Sequence, residues 1–189
     1  LNDVVRAIRW AAIDDRITSL VLDLENLAGP STSQTLEISE AIAEFKGAGK
    51  PVIAFGDFYS QAHYLLASQA DHILLHPEGG MFLEGFSVYR SYLRTFLEKI
   101  RVTMHVFRAG ESKSAVEPYL RDDMAENERE IVTRWLGGLW SAYTELAETG
   151  RELPEGDMDR FIASFGERLT ASKNNLAGTM LAGGWVDAL

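Results

Sequence analysis

Cysteine is missing from all 189 residues. Its absence excludes structural disulfides, thiolate zinc sites and cysteine nucleophiles, and it does not select a redox compartment. Basic runs are missing too. The 18 Lys and Arg are outnumbered by 28 Asp and Glu, for a formal net charge of −10. A nucleic-acid footprint needs clustered positive charge, so no nucleic-acid partner is expected. No apolar stretch reaches the ~18 residues that would suggest a bilayer span. No secretory signal pattern is visible either. The chain opens on Leu1-Asn2-Asp3 and closes on Asp187-Ala188-Leu189, and reads as a fragment whose targeting elements lie outside it. Phosphate-binding fingerprints are absent, because Gly79-Gly80 and Gly137-Gly138 are isolated pairs. No serine sits in GxSxG. Lysine itself is scarce, at five positions: Lys46, Lys50, Lys99, Lys113 and Lys173.

What remains is globular. Hydrophobic residues make up 46% and charged residues 24%, enough to build a real core in one domain spanning residues 1–189. Asn2 or Asp3 caps a first helix with Val4, Val5 and Ile8 on one face. Ile17–Leu24 reads as a strand, Leu36–Phe45 as a helix stopped by Lys46-Gly47-Ala48-Gly49-Lys50, and Pro51–Phe55 as a second strand. A helix over Ser60–Ser68 and a strand over His72–Leu75 follow. A loop then holds Pro77, Gly79 and Gly80. The spacing of Tyr92, Phe96 and Ile100 predicts a helix over Tyr89–Ile100, and Thr103–Phe107 reads as a strand. Glu126–Glu148 is a long amphipathic helix with Ile131, Trp135, Leu139, Ala142 and Leu146 on one stripe. Pro154–Gly166 is helical, and Leu169–Leu189 is helix plus turn. Apolar strands alternating with helices point to an α/β fold, a mostly parallel sheet covered by helices.

Lys113 is the first candidate for chemistry. It lies between Ser112 and Ser114 at a strand-to-helix junction. An ordinary lysine, with a pKa near ~10.4, is a poor base at neutral pH. Partial burial penalises the ammonium form and makes lysine a usable general base. Lowering its pKa to about 7–8 asks roughly 4 kcal/mol of the surroundings. Local chemistry alone favours the plainer reading, a solvated lysine near a helix start.

Other constellations have structural explanations. His72 and His76 share a face, but no cysteine or placed carboxylate joins them, so no metal site is expected; His63 and His105 are isolated. One of Asp122 and Asp123 caps the long helix. Gly137-Gly138 permits close packing or a bend inside that helix. Ser60 stands where a strand meets a helix, a possible nucleophile position. Tyr59, Gln61 and Ala62 replace the glycines that would open an oxyanion site, and a helix N-cap is the better reading.

Three segments together resemble a known family: Asp57–Ser68, Glu84-Gly85-Phe86, and above all His105–Met124, which contains Lys113-Ser114-Ala115-Val116-Glu117-Pro118 and Arg121-Asp122-Asp123-Met124. They resemble the amino-terminal domain of the bacterial signal peptide peptidase A (protease IV) family, in its long form. The resemblance implies a Clp protease/crotonase-like fold of ββα units. It implies a serine–lysine dyad endopeptidase without cofactor, anchored in the bacterial inner membrane and active on the periplasmic side. The expected substrates are cleaved signal peptides left in the membrane. By the same resemblance Lys113 is the general base, the serine comes from a second domain, and four chains form a homotetramer. Set against the second domain's serine motif, Gln61 falls at the nucleophile's position and Ser60 one residue off. The chain therefore holds half a dyad, and in isolation is expected to be inactive. Two rivals stay open. One is a non-catalytic scaffold that shapes a substrate groove. The other is a crotonase-type acyl-CoA enzyme, which would need a basic cluster for coenzyme A that this chain does not show.

Overall fold

A computed structural model describes residues 2–25, 27, 30–105 and 114–189. The element order is α1 (Asn2–Ile13), β1 (Leu20–Asp23), α2 (Thr32–Gly47), β2 (Val52–Tyr59), α3 (Gln61–Ala67), β3 (His72–Met81), α4 (Arg94–Lys99), α5 (Glu117–Leu120), α6 (Glu126–Gly150), α7 (Asp157–Ala171) and α8 (Leu176–Ala182). These residues form two compact units. One comprises Leu1–Gly85 with Ala142–Leu189, the other Phe86–Ser141.

The first unit is built on a three-stranded sheet in the order β1-β2-β3, parallel throughout. Parallel neighbours need crossovers, which α2 and α3 supply. This is the expected α/β arrangement. β1 is shorter than Ile17–Leu24 because only Leu20–Asp23 finds partners, opposite Val52–Phe55. β3 runs on to Met81, through the Pro77–Gly80 stretch expected to be a loop. The reason is local. Past an irregularity between Gly56 and Phe58 the ladder resumes at Phe58↔Gly80 and Tyr59↔Met81. A Cβ on Gly79 would collide with the carbonyl oxygen of Asp57, so glycine lets the backbones approach there.

α2 begins at Thr32, earlier than apolar spacing indicated, because Ser31 and Gln34 form a capping box. Ser31 Oγ accepts from Gln34 N at 3.4 Å, and Gln34 Oε1 accepts from Ser31 N at 2.9 Å. Its residues Ile38, Ala41, Ile42 and Phe45 are buried as the spacing predicts, with Leu22, Val52, Ala54, Ile73 and Leu75 from the sheet. The alternate side chains Val21, Phe55 and Leu74 are exposed.

Residues distant in sequence close this core. Trp185 is fully buried and packs edge-on against Tyr64, with ring centroids 6.1 Å apart. Tyr64 Oη donates to Trp185 O at 2.9 Å. Asp187 accepts from Ile73 N at 2.7 Å and from both terminal nitrogens of Arg151, the shorter bond at 2.7 Å. Leu75 N donates to Ala188 O at 3.0 Å. Glu148 is buried, and its carboxylate accepts from Gly156 N (2.9 Å) and Met158 N (2.7 Å) at the start of α7. A carboxylate there satisfies orphan N–H groups and favours the positive end of the helix.

The second unit departs further from expectation. The helix expected over Tyr89–Ile100 contracts to α4, and Tyr89 is 93% exposed. α4 is fixed from outside: Leu93 N donates to Pro118 O at 2.6 Å, and Thr95 N to Asp122 Oδ1 at 2.9 Å. Residues 102–105 form no strand. A ladder needs a partner, and none of the described strands belongs to this unit. The rest of the expected strand, Val106 and Phe107, lies outside the described residues. On α6, Ile131 and Trp135 are each 57% exposed, so the apolar stripe is buried only in part.

Candidate functional site

Lys113 lies outside the described residues, as does the run before it from Val106. The described segment begins at Ser114 with a 3-10 turn, Ser114–Val116, leading into α5, whose first turn carries Pro118. Proline suits that place, because its missing N–H is unpaired in a helix start anyway. Glu117 Oε2 is buried without a hydrogen-bond partner among the described residues. Asp122 does not cap α6, as the sequence suggested. It accepts from Thr95 N at α4, and that bond holds its carboxyl below the usual range. Asp123 Oδ1 instead accepts from Arg121 at 2.9 Å. The Asp122-Asp123 pair is thus committed to holding backbone and arginine.

A second candidate region, within the first unit, is the junction of β2 and α3. Ser60 is the N-cap of α3, and its Oγ accepts from His63 N at 3.2 Å. The His63 ring turns elsewhere, with Nε2 3.0 Å from Leu27 O. Ser60 therefore has no imidazole to activate it, and the N-cap reading holds. Gln61, the next residue, does what the sequence did not indicate. Its Oε1 accepts from two successive backbone N–H groups, Glu84 N at 3.1 Å and Gly85 N at 2.8 Å. Its Nε2 donates to Gly85 O at 3.3 Å. Its own carbonyl oxygen accepts from Tyr143 Oη at 3.0 Å. Burial raises the Tyr143 phenol well above its ordinary value, so that hydroxyl stays a donor. No local pattern marked this role, because the partners Glu84 and Gly85 lie more than twenty residues away. These residues border a cleft of about 630 Å³ lined also by Glu25, Asp57, Phe58, Phe82 and Glu84.

A third concavity is apolar, about 450 Å³, lined by Met81, Phe82, Leu83, Ile162, Phe165, Leu169 and Met180. Ile162, Phe165 and Leu169 recur at helical spacing on α7, which makes this wall readable in retrospect.

The histidines do not converge. His72 and His105 are exposed, and His76 Nδ1 accepts from Glu78 N at 3.2 Å. Among the described residues no three His, Asp or Glu side chains come together as a cation site. Among the described residues nothing lies within 4 Å of a Cβ built at Gly137 or Gly138, so no close packing seen there explains the pair. Among the described residues no helix is long and apolar enough to cross a membrane.

The profile of peptidase family S49 matches residues 44–179, a span that contains Gln61 and Lys113. The chain is 41% identical over 189 residues to Protease 4 of Salmonella typhi, covering 100% of this chain and 31% of that protein. It is 42% identical over 171 residues to Protease 4 of Haemophilus influenzae, covering 90% and 27%. It is 26% identical over 152 residues to the chloroplastic serine protease SPPA of Arabidopsis thaliana, covering 80% and 22%. The chain thus spans less than a third of the curated relatives it matches. Among solved structures it is similar to an enoyl-CoA hydratase/isomerase family protein from Silicibacter pomeroyi. That likeness has 18% identity and a TM-score of 0.32, over 81% of this chain and 79% of the other. It is too slight to carry an argument, and the α/β description rests on the sheet itself.

Proposed function

The chain belongs to peptidase family S49, and we propose that it supplies the general base of a serine–lysine peptidase. Lys113 is that base, and the serine nucleophile comes from a second domain. The observation that carries the reading is the family match, which runs through Lys113 and is accompanied by 41% identity to a Protease 4 along the whole chain. Ser60, with an N-cap bond and no imidazole partner, is a poor alternative nucleophile.

The chemistry follows from the two groups. Neutral Lys113 accepts the proton from the serine Oγ as the alkoxide attacks the scissile carbonyl. Backbone N–H groups stabilise the oxyanion. The ammonium then returns its proton to the leaving amine. The resulting ester is hydrolysed when water, deprotonated by the same lysine, displaces the serine. An amine thus performs the proton transfers that histidine performs in the triad peptidases. The substrates we propose are signal peptides left in the membrane after cleavage, met on the periplasmic face of a bacterial inner membrane by a homotetramer.

The test uses the longer polypeptide in which this chain is joined to the serine-bearing domain. Lys113→Ala is expected to reduce kcat on a fluorogenic peptide by about 100-fold or more, the range for loss of a general acid–base group. Normal turnover in that variant would sink the assignment. Selective ¹³C labelling of the lysine side chains also reads the Lys113 pKa directly. A value near the ordinary one in the assembled enzyme would favour the scaffold role.

A further inference from the structure

Two successive backbone N–H groups converge on one oxygen outside regular secondary structure. Glu84 N and Gly85 N reach Gln61 Oε1 at 3.1 and 2.8 Å. Gly85 is in the left-handed region, with φ of +71°, where glycine is at home. Successive N–H groups around such a residue form a concave nest that holds an electron-rich oxygen. The nest lies near the surface, with Glu84 exposed and Gly85 half-buried. Its acceptor is supplied internally, by an amide whose carbonyl is chemically the same as that of a peptide bond. The amide's other end, Nε2, donates to Gly85 O, so Gln61 pairs with Gly85 as a neighbouring peptide strand would.

We propose that the Glu84–Gly85 nest is a peptide-carbonyl binding site, and that Gln61 occupies it as a built-in mimic of the ligand. The class of ligand is a neutral carbonyl in an extended peptide. An anion is disfavoured, because Glu25, Asp57 and Glu84 line the adjoining cleft. Gln61 is itself tethered by two further constraints, the start of α3 and the bond from Tyr143 to its carbonyl. The site is therefore closed by a side chain whose backbone is fixed, and opens only if χ angles of Gln61 change. This inference does not rest on the role of Lys113.

The test is an NMR titration of the chain and of Gln61→Ala with an N-acetylated, C-amidated tripeptide, and separately with acetate. In the native chain the Glu84 and Gly85 amide signals are expected to stay in place with either probe. In Gln61→Ala they are expected to shift saturably with the tripeptide and not with acetate. A folded Gln61→Ala chain whose two amides ignore the tripeptide overturns the proposal, as does one that answers to acetate alone. Hydrogen exchange on the native chain gives a second reading that needs no variant to fold. Both amides should exchange at least about tenfold slower than unprotected loop amides, the mark of a closed site. Exchange at the unprotected rate also overturns it.

Discussion

Replacing Glu148 by alanine tests whether a carboxylate near the end of α6 anchors the start of α7. The side chain is 4% exposed, and its two oxygens accept from Gly156 N and Met158 N at 2.9 and 2.7 Å. Truncation leaves both N–H groups without their partner, at about 1–3 kcal/mol for each buried donor left unsatisfied. Removing the carboxylate also relieves its desolvation, which offsets part of that loss. The net expectation is about 3 kcal/mol. With a urea m-value near 2 kcal/mol per M, the midpoint of unfolding falls by about 1.5 M at unchanged slope. Glu148→Gln keeps one carbonyl acceptor and turns an amide N–H₂ toward the other donor, so it should lose about half as much or slightly more. Urea titration followed by far-UV circular dichroism reads both variants. A midpoint for Glu148→Ala within about 0.3 M of the parent would refute the reasoning, because that corresponds to less than one ordinary hydrogen bond.

Gly150→Ala should destabilise the chain by about 1–3 kcal/mol despite alanine's higher helix propensity. Its Cβ would sit 2.5 Å from Ser68 O and 2.7 Å from Gln69 Nε2. Gly166→Ala, with open space around the new Cβ, should instead stabilise by about 0.5–1 kcal/mol; thermal unfolding separates the two. Burial alone would raise the Asp187 carboxyl, but the bonds from Arg151 and from Ile73 N outweigh it and hold it below its ordinary 3.8. A lowered carboxylate contributes stability that is present above the ordinary value and is lost as pH falls through the folded one. Asp187→Asn should therefore flatten the acid arm of a stability profile below about pH 4, read by urea midpoints at several pH values. Burial pushes the Tyr59, Tyr64 and Tyr143 phenols well above their ordinary 10.0. Raised phenols contribute stability that is present below that value and lost above it. Ultraviolet titration should thus show these three ionising only together with alkaline unfolding.

Periodicity and breakers made much of the first unit legible. Ile38, Ala41, Ile42 and Phe45 announced the buried face of α2, and Gly47–Gly49 its end. The errors have identifiable causes. The Pro77–Gly80 run looks like a turn because proline and glycine usually break ladders. Here Gly79 permits close contact with the Asp57 carbonyl, a requirement set by a strand about twenty residues away. Tyr92, Phe96 and Ile100 carry a helical period, yet α4 starts only where Asp122 can receive Thr95 N. The placing of Lys113 made it a candidate, but only resemblance favours a general base over a solvated lysine, since a lysine flanked by serines has no local signature of a lowered pKa. Nothing local to Gln61 announces the hydrogen bonds its side chain makes. Its partners, Glu84 and Gly85, are invisible to any window short enough to read periodicity.

The contacts that link Trp185 and Asp187 to α3 and β3 bear on the time course of folding. Tyr64 and Trp185 are separated by 121 residues, Ile73 and Asp187 by 114. Such pairs raise contact order and demand closure of a long loop before they return any stability. On the ribosome, at about 5–20 residues per second, β3 emerges roughly 6–23 seconds before the residues that will bond its backbone. During that interval the apolar side chains of Ile73 and Leu75 must be sheltered by β2 and α3, without α8. The first unit is thus a structure whose beginning waits for its end, and chaperone contact with nascent β3 is where that delay should be seen.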